Sequence, residues 1–314
     1  MVTPRRPRLA GLSLLTAAVL TLAGARAGAY VRKQTDGGIS EYWQVSCIPL
    51  TIYMYGFGDM TRDQVAKSIG AAAHTWSPSE VTCPDGMSHP FLEIVPLMAD
   101  EGSKPPLPAY DGHNTVIFFS DTLQPPENSP FSLSSGIVAL TSVFARADGH
   151  IVDADVQINA MNGMRWTNRD PGYVPPDPDD AYDLQNAVTH ELGHLQGLGH
   201  TCWAPFSDFD QPIDDMGNGV PLCDSAPPDV AQTVMFATIA SNTEISKRTL
   251  SPDDIRAVCT IYATAGDPHD CAAQTPADGC GCSAAGTMPG AAFAALSLLG
   301  VAIMVRRARR ARRE

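Results

Sequence analysis

The stretch that most constrains this chain is His190-Glu191-Leu192-Gly193-His194-Leu195-Gln196-Gly197-Leu198-Gly199-His200. Residues four apart on a helix share a face, so His190 and His194 can turn their imidazoles onto one ion. Glu191 then stands where its carboxylate reaches a water held by that ion. A third histidine six residues beyond His194 cannot join from a straight continuation of the helix, so the chain must turn back. Gly197 is the residue that permits the turn, because glycine enters positive φ cheaply. His200 completes a three-histidine set with a fourth position open, the arrangement of a catalytic rather than a structural zinc. The segment matches H-E-x-x-H-x-x-G-x-x-H at every specified position. Expected metal ligands are therefore His190, His194 and His200, with Glu191 as general base and one zinc ion as cofactor. His74, His89, His113, His150 and His269 show no such spacing and read as surface or hydrogen-bonded histidines.

Both ends of the chain read as targeting segments. Arg5, Arg6 and Arg8 precede an apolar run from Leu9 to Leu22 and small residues ending Ala27-Gly28-Ala29, the layout of a secretory signal peptide over 1–29. At the other end Pro289 to Val305 is almost wholly apolar and is followed by six arginines between Arg306 and Arg313. Such a cationic tail stays inside, so everything upstream is expected to be exported. The formal net charge is −13, and since both ends are cationic the stretch between them is more acidic still. That balance argues against nucleic acid as a partner and for solubility outside the cell.

An oxidising compartment gives the eight cysteines a use. Six of them, Cys47, Cys83, Cys202, Cys223, Cys259 and Cys271, are disulfide candidates, and sequence proximity suggests 47–83, 202–223 and 259–271. One or two free buried thiols is the alternative.

Residues 30–265 read as one globular domain and 266–279 as a linker. Strand-like runs are Leu50–Tyr55, Thr115–Phe119, Gly136–Phe144 and Ile151–Ile158, each bounded by Gly, Pro, Asp or Asn. Helix-like runs are Thr61–Thr75, Asp183–Gln196 and Ser251–Tyr262. Thr61 with Gln64 forms a capping box, and Ser251-Pro252-Asp253-Asp254 offers a cap, a first-turn proline and two acids at the positive end of the dipole. Residues 171–180 and 202–230, rich in Pro, Asp and Gly, read as surface loops. Strands first and helices later, without βαβ alternation, predict an α+β domain.

At the histidine segment the chain resembles the metzincin zinc peptidases, and within them the matrixins, over roughly 43–262. Thr233-Val234-Met235-Phe236 is similar to the family's Met-turn, whose methionine lies under the metal; Met216 is the competing candidate. Residues 183–189 are similar to the family's approach to its active-site helix, and Arg248 to Ile255 to the start of its C-terminal helix. The resemblance implies a zincin-like fold, a twisted, mostly parallel sheet with those two helices. It also implies an endopeptidase that cleaves protein or peptide substrates through a zinc-activated water. The strand near 136–140 resembles the family's cleft edge, where a substrate pairs in extended form. The alternative is a surface-displayed zinc-binding adhesion module with little or no turnover.

Several features depart from the family pattern. About 34 residues separate His200 from Met235 and include Cys202 and Cys223, an inserted loop. No propeptide or cysteine switch is expected. Residues 153–159 are similar to the family stretch carrying structural metal ligands, but the second-zinc histidines are missing; Asp153 and Asp155 are either calcium ligands or solvated strand-end acids. No tyrosine follows Met235 as it does in astacin-like and serralysin-like relatives. Residues 236–239 differ from the usual specificity wall, so family specificity is not carried over.

Cys280-Gly281-Cys282-Ser283 with the apolar run and arginines resembles the myxobacterial C-terminal sorting signal over 280–314. It implies display at the cell surface, with Cys280 or Cys282 modified. The alternative is a simple transmembrane stop; either way the membrane is met through the C-terminal segment, and the protein is expected to be a monomer.

Overall fold

The computed structural model describes residues 30–133, 136–170, 181–205, 210–239, 244–271 and 301–305. The strands are β1 (Val31–Arg32), β2 (Cys47–Tyr53), β3 (Glu93–Met98), β4 (Thr115–Phe119), β5 (Ile137–Ala145), β6 (Ile151–Asn159), β7 (Arg165–Thr167), β8 (Ala181–Asp183), β9 (Leu198–Gly199), β10 (Thr238–Ile239) and β11 (Val301–Val305). The helices are α1 (Arg62–Thr75), α2 (Pro130–Leu133), α3 (Leu184–Leu195), α4 (Pro228–Ala231) and α5 (Pro252–Ile261).

Five strands in the order β5-β6-β4-β2-β3 form a mixed sheet, in which β3, β2, β4 and β6 run parallel and β5 runs antiparallel to β6. β4 shows why the sheet is closed in on both faces. Its sequence TVIFF is buried throughout, as a strand covered on two sides requires. Alternation sends Val116 and Phe118 to the main core and Ile117 and Phe119 to a smaller one with Leu123, Phe131, Ile137, Leu140 and Met161.

The main core is where α1 and α3 pack. α1 contributes Val65, Ile69 and Ala72, and α3 contributes Leu184, Ala187, Val188, Leu192 and Leu195. Both helices begin as their sequences predict. Thr61 and Gln64 exchange capping-box bonds at the start of α1, and Asp183 accepts from the Asn186 amide at 2.7 Å to open α3. Asp183 also receives the Arg248 guanidinium, which ties this cap to the approach to α5. Buried indoles fasten the layers through their N–H groups: Trp76 donates to the Thr189 carbonyl and Trp43 to the Leu195 carbonyl, each at 2.8 Å.

β3 is absent from the sequence-derived strands. Its Glu-Ile-Val-Pro-Leu-Met sequence carries Pro96, and it forms the sheet's outer edge, where a missing N–H is tolerated.

Two disulfides differ from the pairing by proximity. Cys47 joins Cys271 and Cys83 joins Cys259, while Cys202–Cys223 is as expected. The cause is tertiary: the segment after α1 returns beside α5, with Phe91 N–H donating to Tyr262 O, and the chain beyond α5 folds back to the start of β2. There Asp267 accepts from the Ser46 hydroxyl and Asp270 from the Ser46 amide. Residues 266–271, read as the start of a linker, are thus stapled to the sheet.

The expected signal peptide and the Cys280–Cys282 motif lie outside the described residues, as do residues 171–180. Of the C-terminal apolar run only β11 is described. It lies antiparallel to β5 and parallel to β10, extending the sheet by two short strands. Among the described residues no helix is long and apolar enough to cross a membrane.

Candidate metal centre

α3 ends where its sequence stops favouring a helix. Gln196 caps it, and Gly197 follows at φ +87°, a conformation that penalises any side chain. A Cβ on Gly197 would also meet the Glu41 carbonyl oxygen at 2.6 Å. The reversal delivers β9, pairs it with β1, and brings His200 back toward the α3 histidines. The ring centroids of His190, His194 and His200 lie 4.6, 4.8 and 5.4 Å apart, and a ligand nitrogen from each lies within 4.8 Å of the others. All three are buried.

The tautomers follow from the partners. His190 Nδ1 faces the Val234 carbonyl at 2.6 Å and His194 Nδ1 faces the Leu198 carbonyl at 2.8 Å. A carbonyl only accepts, so each Nδ1 carries the hydrogen and each neutral ring has a bare lone pair on Nε2. Those Nε2 atoms stand 3.0 Å apart. Burial, first, and the mutual proximity of the imidazoles hold the pKa values of His190 and His194 well below the usual histidine value, so protonation does not relieve the opposition. A cation does. Zinc with nitrogen ligands at 2.0–2.1 Å in a tetrahedron sets them about 3.3 Å apart, close to the spacing here.

Glu191 completes the fit. Its Oε2 accepts from the Thr141 hydroxyl at 2.6 Å, while Oε1 is buried without a hydrogen-bond partner. Burial raises its pKa to about 8 against the opposing effect of the Thr141 bond. A cation among the neighbouring imidazoles would draw that value down again.

Met235 lies beneath the helix. Its sulfur stands where a Cβ on Gly193 would be, 2.2 Å away, so only glycine fits at that turn. Met235 is 1% exposed, whereas the rival Met216 is 65% exposed. Val234 fixes the segment at both ends: its N–H donates to Asp254, and its carbonyl receives His190 and the Lys247 ammonium at 3.1 Å. Lys247 also donates to the Phe236 carbonyl at 2.6 Å, and its backbone N–H donates to Asn186 on α3. It is fully buried, which lowers its pKa to about 8. Sequence reading missed Lys247, since a lysine next to Ser246 and three residues from Glu244 carries no sign of burial. It missed the Thr141 hydroxyl too, although the strand was expected. Asp254, read as a dipole partner, is buried and holds Ser251 as well as Val234.

The loop closed by Cys202–Cys223 packs with Ala204 against Ala237, next to the metal-site segment. Asp153 and Asp155 are elsewhere and are not solvated. Asp153 accepts from the amides of Asp111 and Gly112, and Asp155 from the Ala109 amide and the Thr115 hydroxyl. Both are nearly fully buried, and burial raises both pKa values, that of Asp155 to about 7. Among the described residues the groups with metal-ligand spacing are the histidine triad and Cys47/Glu93/Cys271, the latter containing a disulfide. His74, His150 and His269 each pair with a carboxylate, and His89 with the Val81 carbonyl.

Comparison with protein-family models and with curated proteins finds no match to this chain. The geometry of the triad carries the functional argument: a buried site that could hold one metal ion beside a carboxylate.

Proposed function

We propose that this chain is a zinc-dependent endopeptidase of the metzincin type, matrixin-like in its metal segment and exported to the cell surface or beyond. The observation that carries the reading is the pair of bare imidazole nitrogens 3.0 Å apart with a buried, half-bonded Glu191 beside them. Three protein ligands leave an open position, which structural zinc sites lack. A zinc ion held there would supply a Lewis acid for the scissile carbonyl and acidify the attacking water.

The chain's own groups supply the rest. Glu191, steered by Thr141, accepts the proton through Oε1 and passes it to the leaving amine. The Val234 and Leu198 carbonyls fix the ring planes and raise the basicity of both ligands. The substrate binds extended. The space between β5 and β10 is one strand wide and accommodates such a backbone, since Val301–Val305 of this chain runs there. Display at the surface through the C-terminal segment, with a protein as substrate, completes the proposal.

The test is unfolded casein with the exported protein, with and without a chelator, alongside Glu191→Ala. Chelator-sensitive cleavage that falls by orders of magnitude in Glu191→Ala, with zinc still bound, supports the reading. Zinc binding without cleavage would leave a binding module instead.

A further inference from the structure

The last described strand runs where the proposed substrate would bind. β11 pairs antiparallel with β5, Val301 opposite Thr141, Ala302 opposite Leu140 and Met304 opposite Ile137. On its other side it runs parallel to β10, Met304 opposite Thr238 and Val305 opposite Ile239. Both neighbours lead to the metal centre. The Thr141 hydroxyl donates to Glu191 Oε2 at 2.6 Å, and Thr238 follows three residues after Met235, whose sulfur lies against Gly193 of α3. The backbone of β11 therefore passes between the strand that steers the general base and the segment that runs on from beneath the triad. Among the described residues it is also what joins β10 to the sheet, and it covers an edge of β5 that would otherwise present unpaired N–H and C=O groups.

The sequence explains why this segment takes that slot. Val301-Ala302-Ile303-Met304-Val305 has β-branched residues at alternate positions and no charge, the composition of a strand. It also ends the apolar run that starts at Pro289, which water does not favour exposing. Cys271 is tied to Cys47 at the start of β2, so about 30 residues tether Val301 to the domain, which sets its local concentration on the order of millimolar. A bilayer makes a different demand on the same residues. There every N–H and C=O must be satisfied within the segment, which requires a helix. The strand in the cleft and the helix in the membrane exclude each other.

We propose that Val301–Val305 is an intramolecular ligand of the substrate cleft, shutting the site while the C-terminal segment is out of the membrane and opening it when that segment inserts. The peptidase is thereby restrained during export and released where it is anchored. β11 lies on β5 in the extended form expected of a substrate, so occupant and substrate compete for the same backbone groups. The consequence of closure rests on the peptidase reading, but the closure itself is an arrangement of strands and is measured without turnover.

The test uses the full chain, first free of lipid. Hydrogen exchange at the amides of residues 137–141 should be at least about tenfold faster in Met304→Pro than in the parent, because Met304 has a strand on each side and its N–H faces one of them. Ile303→Pro should act in the same direction, and zinc content should change in neither. Vesicles of phosphatidylcholine added to the parent should speed the same amides, and hydrolysis of unfolded casein should rise with them, by about tenfold or more. Equal exchange in the parent and both variants, or exchange in the parent that lipid does not alter, would overturn the proposal. Casein cleavage that is equally fast in parent and variants would also overturn it and leave the peptidase reading standing. Faster exchange in the variants with no cleavage under any condition would do the reverse, keeping the closure and removing the peptidase.

Discussion

Among the described residues, the buried aspartates of β6 and the buried histidines and Glu191 of α3 and β9 face different partners. On β6, Asp153 and Asp155 sink their carboxylates into the fold, and the amides of residues 109, 111 and 112 and the Thr115 hydroxyl meet three of their four oxygens, Asp153 Oδ1 alone being buried without a partner. On α3 and β9, three histidines are equally buried, yet two present acceptor lone pairs to each other while Glu191 keeps one oxygen unbonded. A buried acceptor met by backbone donors fastens a loop. Acceptors that converge with no donor among them define a place for a cation. Burial alone does not distinguish function from structure; what the lone pairs face does.

The sharpest break of this contrast is His194→Ala. Zinc affinity should fall by orders of magnitude and peptide hydrolysis with it, as read by metal content and turnover, while Asp153→Asn leaves both near the parent level. Gly197→Ala should come next. It forces a Cβ against the Glu41 carbonyl at positive φ and should cost about 2 kcal/mol or more in a denaturant melt.

Lys247→Met tests whether the support of the triad is electrostatic as well as spatial. It leaves the Val234 and Phe236 carbonyls without their shared donor, and about 1–3 kcal/mol of stability should go, with metal affinity reduced roughly 10–100-fold. Unchanged affinity would confine Lys247 to holding up the segment.

The smallest effect belongs to the aspartates. Burial raises the Asp155 pKa to about 7, above the 3.8 of an exposed aspartate. Between those values the folded state holds a proton that the unfolded chain has lost, so stability is greatest at low pH and declines as pH rises toward 7. Asp155→Asn should flatten this decline in part, leaving the share of Asp253, whose pKa is also raised to about 7. An unchanged pH profile by thermal melting would contradict the assignment.

What the sequence disclosed followed chemical range. The triad, Glu191, the Gly197 reversal and the caps of α1 and α5 depend on residues within a few turns of one another, so their spacing is visible along the chain. The acids of β6 misled because their donors come from a loop some forty residues earlier. The cysteines misled for the same reason: Cys47 and Cys271 are 224 residues apart and Cys83 and Cys259 are 176, which proximity along the chain cannot suggest. Thr141 and Lys247 gave no local sign, since each acquires its role only when β5 and the segment before α5 close over α3.

The most direct test of the central claim is X-ray absorption at the zinc edge on the exported protein, with metal content measured on the same sample. The account predicts one zinc per chain with three imidazole nitrogens at about 2.0–2.1 Å and one further oxygen ligand. No bound metal, or a first shell built from thiolates or without histidine, would contradict it.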